Sequence, residues 1–301
     1  MSGASDHRNV FDRALVRERF RRAHSRGFAP FLVEHAIADL ALRLAPVSRE
    51  FAIALDVGTP GPQAAIFLRA SGRAGAVFRA ALAGISPGEA GAIVADEEAL
   101  PFAHERFDLA TSLLSLQAVN DLPGALVQIR RALKPDGLFV GCLLGGASLT
   151  ELRQSFMEAE AEVEGGASPR VAPFVDVREL GGLLQRAGFA LPVTDVEPVT
   201  VRYADPFALM RDLRAMGLTN ALVARRRTPL RRATLMRAAA IYAERFADPD
   251  GKLRATFELV WLSGWAPHES QQKPLRPGSA KARLADALGG REFGAGEKAR
   301  P

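Results

Sequence analysis

Residues 93–146 read IVADEEALPFAHERFDLATSLLSLQAVNDLPGALVQIRRALKPDGLFVGCLLGG. Three short apolar runs stand in or at the edge of this stretch: AGAIVAD, ending at Asp96, then FDLATSLL and GLFVGCLLG. Runs of that length with almost no polar alternation are the mark of strands buried on both faces, as in a parallel sheet. Between the last two lies LPGALVQIRRALKPDG, where Leu122, Ala125, Leu126, Ile129 and Leu133 form one apolar stripe. That spacing predicts a helix, with Lys134 and Gly137 expected to close it as a cationic last turn and a turn glycine.

The same rhythm extends in both directions. Upstream, FAIALDVGTPGPQAAIF (residues 51–67) reads as a strand running to Asp56, a turn, and a helix; GAVFR reads as the next strand. Alternating strands and helices predict an α/β fold with a doubly wound, mainly parallel sheet. Residues 10–45 read as helical, with Phe31, Leu32, His35, Ala36 and Leu40 at helical spacing and Pro46 as the stop. Downstream, SLTELRQSFMEAEAEVEGG reads as a helix, DVRELGGLLQRAGFALPVTDVEPVTVRY as helix, turn and strand, and ATFELVWLSGWAP as a late strand. Four regions follow: a helical cap over 1–48, a sheet domain over 49–266, a basic helical insertion at about 205–247, and a Pro/Gly/basic tail over 267–301 expected to be partly disordered.

The totals narrow the function. The chain has 301 residues, 48% hydrophobic and 24% charged, as in a globular protein with a sizeable core. Its one cysteine, Cys142, excludes an intrachain disulfide and a cysteine-based zinc cluster, and is expected to be a buried thiol. The five histidines (His7, His24, His35, His104, His268) show no metal-ligand spacing, so no metal site is expected. No nucleophile elbow, phosphate-binding lysine loop or dinucleotide glycine motif occurs. The Arg-rich start lacks an apolar core and carries Asp6, Asp12 and Glu18, which argues against a secretory signal or transit peptide. With no long apolar run, the expectation is a cytoplasmic protein, with peripheral contact at the inner face of the membrane.

The order D-x-x-x-L-P-F from Asp96, F-D-L at Phe107 and R-x-L-K-P-x-G from Arg131 resembles class I S-adenosylmethionine-dependent methyltransferases. GGASLTELRQSF, SPRVAPFVDVRELGGLLQRAGF, VTVRYADPFALMRDLRAMGLTNAL and GWAPHESQQKPLRPGSA are similar to one branch of them, the complex I assembly factors that hydroxylate an arginine of a complex I subunit, with their bacterial homologues. A more distant resemblance is to the malonyl-carrier-protein methyltransferases of biotin synthesis. The resemblance covers roughly residues 8–280 and implies a Rossmann-like methyltransferase fold with S-adenosylmethionine as cofactor.

Residue by residue, the resemblance implies that Gly58 lets the first turn approach the cofactor and that Asp56 accepts from its ammonium. It implies that Asp96 accepts from the adenine amino group, flanked by Glu97 and Leu100. It names no catalytic residue. His268 and Gln271, in the stretch after the late strand, are candidates for crossing the mouth of the cleft. Three departures stand against this. DVGTPGP puts Pro60 and Pro62 at two glycine positions, and proline offers no amide hydrogen. GAVFRAALAG has Arg79, Ala80 and Ala81 where an acid would accept both ribose hydroxyls. Gln117 and Ala118 stand where relatives carry a His–aromatic pair.

The segment from Arg202 to Arg237 carries nine arginines against two aspartates. It reads either as a solvated face or as a docking surface for an acidic partner or an anionic membrane. Nucleic acid is not expected, because stacking aromatics do not interleave the run. The implied function is modification of a protein side chain, arginine by resemblance, during complex I assembly. The alternatives are a non-catalytic assembly chaperone with a degraded cofactor loop and a carrier-protein O-methyltransferase.

Overall fold

The structure, a computed structural model, describes residues 9–174 and 176–271. Most of the expected tail at 267–301, His7 and the first residues of the expected cap lie outside the described residues. Helices α1 (Arg13–Ser25) and α2 (Phe31–Leu44) precede β1 (Phe51–Val57), α3 (Gln63–Ala70), β2 (Ala74–Ala81), β3 (Ala92–Val94) and β4 (Phe107–Leu113). Then come a short 3-10 turn (Leu116–Ala118), α4 (Leu122–Ala132), β5 (Leu133–Leu144), α5 (Thr150–Glu164) and α6 (Val177–Arg186). The last elements are β6 (Ala190–Tyr203), α7 (Pro206–Ala215), α8 (Arg232–Phe246) and β7 (Leu253–Trp265).

The strands form one sheet in the order β3-β2-β1-β4-β5-β7-β6. The first five are parallel; β7 runs antiparallel to both β5 and β6. The order reverses between β1 and β4, and in such sheets that switch opens the ligand crevice at the carboxyl ends of the strands. All seven residues of β4 are buried, as a strand covered on both faces requires. One face packs on α2, α3, α5, α7 and α8, the other on α4 and α6. Leu126 and Ile129 on α4 are fully buried, and truncating such a side chain to alanine costs about 2–5 kcal/mol. Four helices start on an aspartate cap: Asp12, Asp121, Asp176 and Asp205 each accept a hydrogen bond from an amide in the first turn.

Several local expectations are corrected. The α4 helix stops at Ala132, so Leu133 is not on its stripe but pairs with Phe107 as the first residue of β5. Pro135 disfavours helical geometry at Lys134, and Lys134 turns its ammonium to Asp108 at 3.0 Å. The insertion between β6 and β7 is not helical throughout, since residues 216–231 form an irregular connection between α7 and α8. The arginine run at 225–227 therefore lies on a loop. It is not a bare face either: Arg225 pairs with Asp12 at 3.3 Å, Arg226 with Glu164, and Arg237 with Glu162.

The late strand runs antiparallel to β5. Antiparallel pairing sets Leu259 beside Leu144, at the carboxyl end of β5, and Trp265 beside Leu138 at its amino end. β7 therefore ends beside the amino end of β5, where the amide of Ala266 donates to the Gly137 carbonyl. His268 lies beyond the unit that ends at Pro267, and its Nδ1 is 2.7 Å from Ser270 Oγ. Trp261 is buried within the sheet, with the Arg43 guanidinium 4.4 Å from its ring centre.

Candidate functional site

The first turn after β1 is a compact plug. Gly58 and Gly61 hold φ of +73° and +83°, the left-handed region that glycine enters without a Cβ penalty. Pro60, between them, lies among Phe28, Leu32, Val33 and Leu114, so it ties the turn to the amino end of α2. The amide of Gly58 is already spent on the Ala80 carbonyl, at 2.6 Å. A side chain at position 58 would collide with the Ser115 hydroxyl and the Glu97 carboxylate. The space above this glycine, where a ligand could approach the backbone, is therefore filled by Glu97 and Ser115.

Asp56 ends β1 with no exposed surface. Its Oδ1 accepts from the Thr59 hydroxyl and, at 3.5 Å, from that of Thr111; Oδ2 has no hydrogen-bond partner. Burial pushes this carboxyl up to about 6, against the opposing pull of Thr59 and Arg79. Arg79, at the end of β2, is equally buried. Its Nε stands 4.0 Å from Asp56 Oδ2, and its other nitrogens donate to Glu89 and the Gly84 carbonyl at 3.2 Å and to the Thr59 carbonyl at 3.3 Å. A guanidinium thus occupies the end of the second strand and braces the turn from beneath.

Asp96 and Glu97 follow β3 and meet a residue that the sequence reading passed over. Arg13, the first residue of α1, reaches 83 positions along the chain to donate to Asp96 Oδ1 at 2.6 Å, and it also pairs with Glu97. It further donates to the Ala118 carbonyl at 2.9 Å. Glu97 is pushed up by burial, with Arg13 holding it back. Asn120 clamps the backbone of Phe11 from both sides, at 2.8 and 3.1 Å, so α1 is stitched across the segment after β4. Leu100 is placed elsewhere: it packs with the α4 side of the core, its amide held by Gln128 at 2.9 Å. A signal for Arg13 did exist. A cation in the first turn of a helix opposes the macrodipole, so such an arginine needs a partner outside its own helix.

This arrangement does not fit S-adenosylmethionine. Acceptors suited to an adenine amino group and an ammonium remain in Asp96 and Asp56. But Asp96 is held by Arg13, the approach to Gly58 is filled, and β2 carries no acid for two ribose hydroxyls, its Arg79 being buried against the turn. Among the described residues, no three of His, Cys, Asp and Glu cluster as metal ligands.

The comparisons with known proteins agree with this architecture. A methyltransferase-domain family profile matches residues 31–192. The chain is 41% identical over 291 residues to the arginine-hydroxylase NDUFAF5, mitochondrial, of Danio rerio, covering 92% of this chain and 89% of the relative. The chain belongs to the arginine-hydroxylase NDUFAF5 family, within the class I S-adenosylmethionine-dependent methyltransferases. Similarity to the malonyl-[acyl-carrier protein] O-methyltransferase of Xylella fastidiosa is 39% over 175 residues, 58% of this chain and 57% of that one. The fold is shared with the YcgJ protein of Bacillus subtilis, at a TM-score of 0.53, 14% identity, and coverage of 78% of this chain and 99% of that one. The match to the NDUFAF5 relative of Danio rerio covers 92% of the chain, so it takes in the insertion as well as the sheet.

Proposed function

We propose that this NDUFAF5-family protein modifies an arginine side chain of a complex I subunit during assembly of that complex. The observation that carries the proposal is the extent of similarity to relatives named arginine-hydroxylase, which runs through the cap and the insertion as well as the sheet. Hydroxylation replaces a C–H bond by C–O–H; with dioxygen as oxidant it consumes two electrons from a donor and releases water. The proposal includes weak binding of S-adenosylmethionine, reached only when Glu97 and Ser115 leave Gly58 and Arg13 leaves Asp96. It also includes a cytoplasmic location with peripheral contact at the inner membrane face; no helix among the described residues is long and apolar enough to cross a membrane.

The test is deletion of the gene in its native cell, with mass spectrometry of complex I arginines and native electrophoresis of the complex. Loss of a one-oxygen mass gain, together with stalled assembly, is the expected result. Loss of a one-methyl gain instead would replace hydroxylation with methyl transfer. A second reading, a non-catalytic assembly chaperone, is favoured by the filled cleft. It predicts stalled assembly with no arginine modification lost, and no heat on titration with S-adenosylmethionine.

A further inference from the structure

A cavity of about 390 Å³ lies between α1, α5, α7 and the irregular connection after α7. Its wall is apolar and aromatic, built mainly from Phe11, Phe20, Leu152, Phe156, Phe174 and Met210. Its inner end reaches Gln117, just after β4, and Leu144 at the carboxyl end of β5. The Gln117 Oε1 atom is buried there without a donor. Arg19, Arg214 and Thr219 border this cavity and also a second cleft of about 460 Å³, which adds Arg22, Arg26 and Arg211.

The arginines of this mouth differ from the conspicuous run at 225–227. Among the described residues, Arg19, Arg26, Arg211 and Arg214 have no carboxylate within ion-pairing distance. Nearby acids are committed elsewhere: Glu18 to Arg21 and Arg22, Asp12 to Arg225, and Glu160 to Arg170, which also borders the cavity. Arg19 Nη1 is buried with no acceptor. Burial, then the neighbouring Arg225, depresses the pKa of Arg19, with only Asp12 in its favour. Buried charge without a partner is costly, so a site of this kind favours an incoming anion. A further cation, such as a substrate guanidinium, would meet the like charges of Arg19, Arg26, Arg211 and Arg214.

We propose that this cavity and its mouth form a binding site for a single-chain anionic amphiphile, an acyl chain ending in a phosphate or carboxylate, with the chain inward and the head on Arg19 and Arg214. At roughly 30 Å³ per water-sized group, the cavity holds about a dozen such groups, which suits one chain of medium length and not two. Its volume lies in the ordinary range for small-ligand pockets. The site is separate from the Asp56–Asp96 cleft and does not rest on the arginine-modifying reading.

The test uses the full chain and calorimetric titration below the critical micelle concentration. Decyl phosphate and decanoate are expected to bind at least about tenfold more tightly than decyl maltoside or decyltrimethylammonium, and more tightly than inorganic phosphate. Arg19→Gln combined with Arg214→Gln should weaken decyl phosphate by at least about tenfold and leave decyl maltoside unchanged. Phe156→Ala or Leu152→Phe should change chain-length dependence while phosphate binding stays as it was, with thermal melting confirming a folded protein in each case. Equal affinity for all four head groups would overturn the proposal, as would a folded double variant that keeps wild-type affinity. Binding to phosphatidylglycerol vesicles without binding to free decyl phosphate would assign the arginines to a bilayer surface. Binding to an acidic peptide without decyl phosphate would assign them to a protein partner. Either result overturns the single-chain site.

Discussion

Helix α1 supplies arginines to two charged regions built in opposite ways. At its first turn, Arg13 locks onto Asp96 and Glu97, and the neighbouring Arg79 is enclosed by Asp56, Glu89 and two carbonyls. Further along, Arg19 and Arg26 face a cavity mouth with no carboxylate opposite them among the described residues. In the first region the charge is consumed internally and the space is filled. In the second the space is open and the charge is available. Family membership directs attention to the first region; the physics of unpaired charge directs it to the second.

The sharpest way to break the first region is to remove its most buried cation. Arg79→Ala strands Asp56 and Glu89 and should cost about 3–5 kcal/mol, the usual penalty for breaking a buried pair. Urea unfolding reads this directly, and an unchanged midpoint would mean that the guanidinium does not brace the turn. Arg79→Lys should lose less, since charge is kept and only the fork geometry goes.

Asp56 offers a test by pH. Its folded-state pKa of about 6 lies above the unfolded value of 3.8, so the folded state binds the extra proton between those values. Stability from this group is full below about pH 4 and is lost as pH rises through about 6, by about 3 kcal/mol. The stability difference between wild type and Asp56→Asn should shift against wild type by about that amount from pH 4 to pH 7. A difference that is flat across this window would place Asp56 in a wetter setting.

The plug over Gly58 is tested by ligand affinity. Glu97→Ala combined with Ser115→Gly removes both side chains that stand over the glycine and loosens the hold of Arg13 on Asp96. Calorimetric affinity for S-adenosylmethionine should rise at least about tenfold, or about 1.4 kcal/mol. Adding Asp96→Ala should erase the gain. Low-micromolar binding by unaltered protein would show that the plug opens readily.

The smallest effect separates adjacent arginines in the conspicuous run. Arg226→Glu sets like charge against Glu164 and should lower the melting temperature measurably. Arg227→Glu, at an exposed position with no carboxylate partner among the described residues, should leave it unchanged. Equal losses would mean that the loop acts through its overall charge and not through the Glu164 pair.

Much of the fold was legible because its signals are local. Buried strands show as apolar runs, and Asp12, Asp121 and Asp205 stand just where their helices begin. The end of α4 was misplaced because the apolar stripe continues in register into Leu133, while the proline two residues on ends the helix earlier. Charge density carries no period that separates a helix from a loop, so the sequence of the arginine-rich stretch does not reveal the break between α7 and α8. Of the site, Asp56, Gly58, Asp96 and Glu97 were legible as positions, but their state was not.

What the sequence determined by itself is the alternation of strands and helices, the family, and the replacement of an acid by Arg79 and of glycines by Pro60 and Pro62. These are properties of residues and their near neighbours, where periodicity and backbone chemistry act. Only the tertiary structure decided which arginines are spent. Arg13 meets Asp96 across 83 positions and Arg226 meets Glu164 across 62, whereas Arg19 and Arg214 meet no carboxylate among the described residues. Ion pairing depends on through-space distance and burial, and neither has a period along the chain.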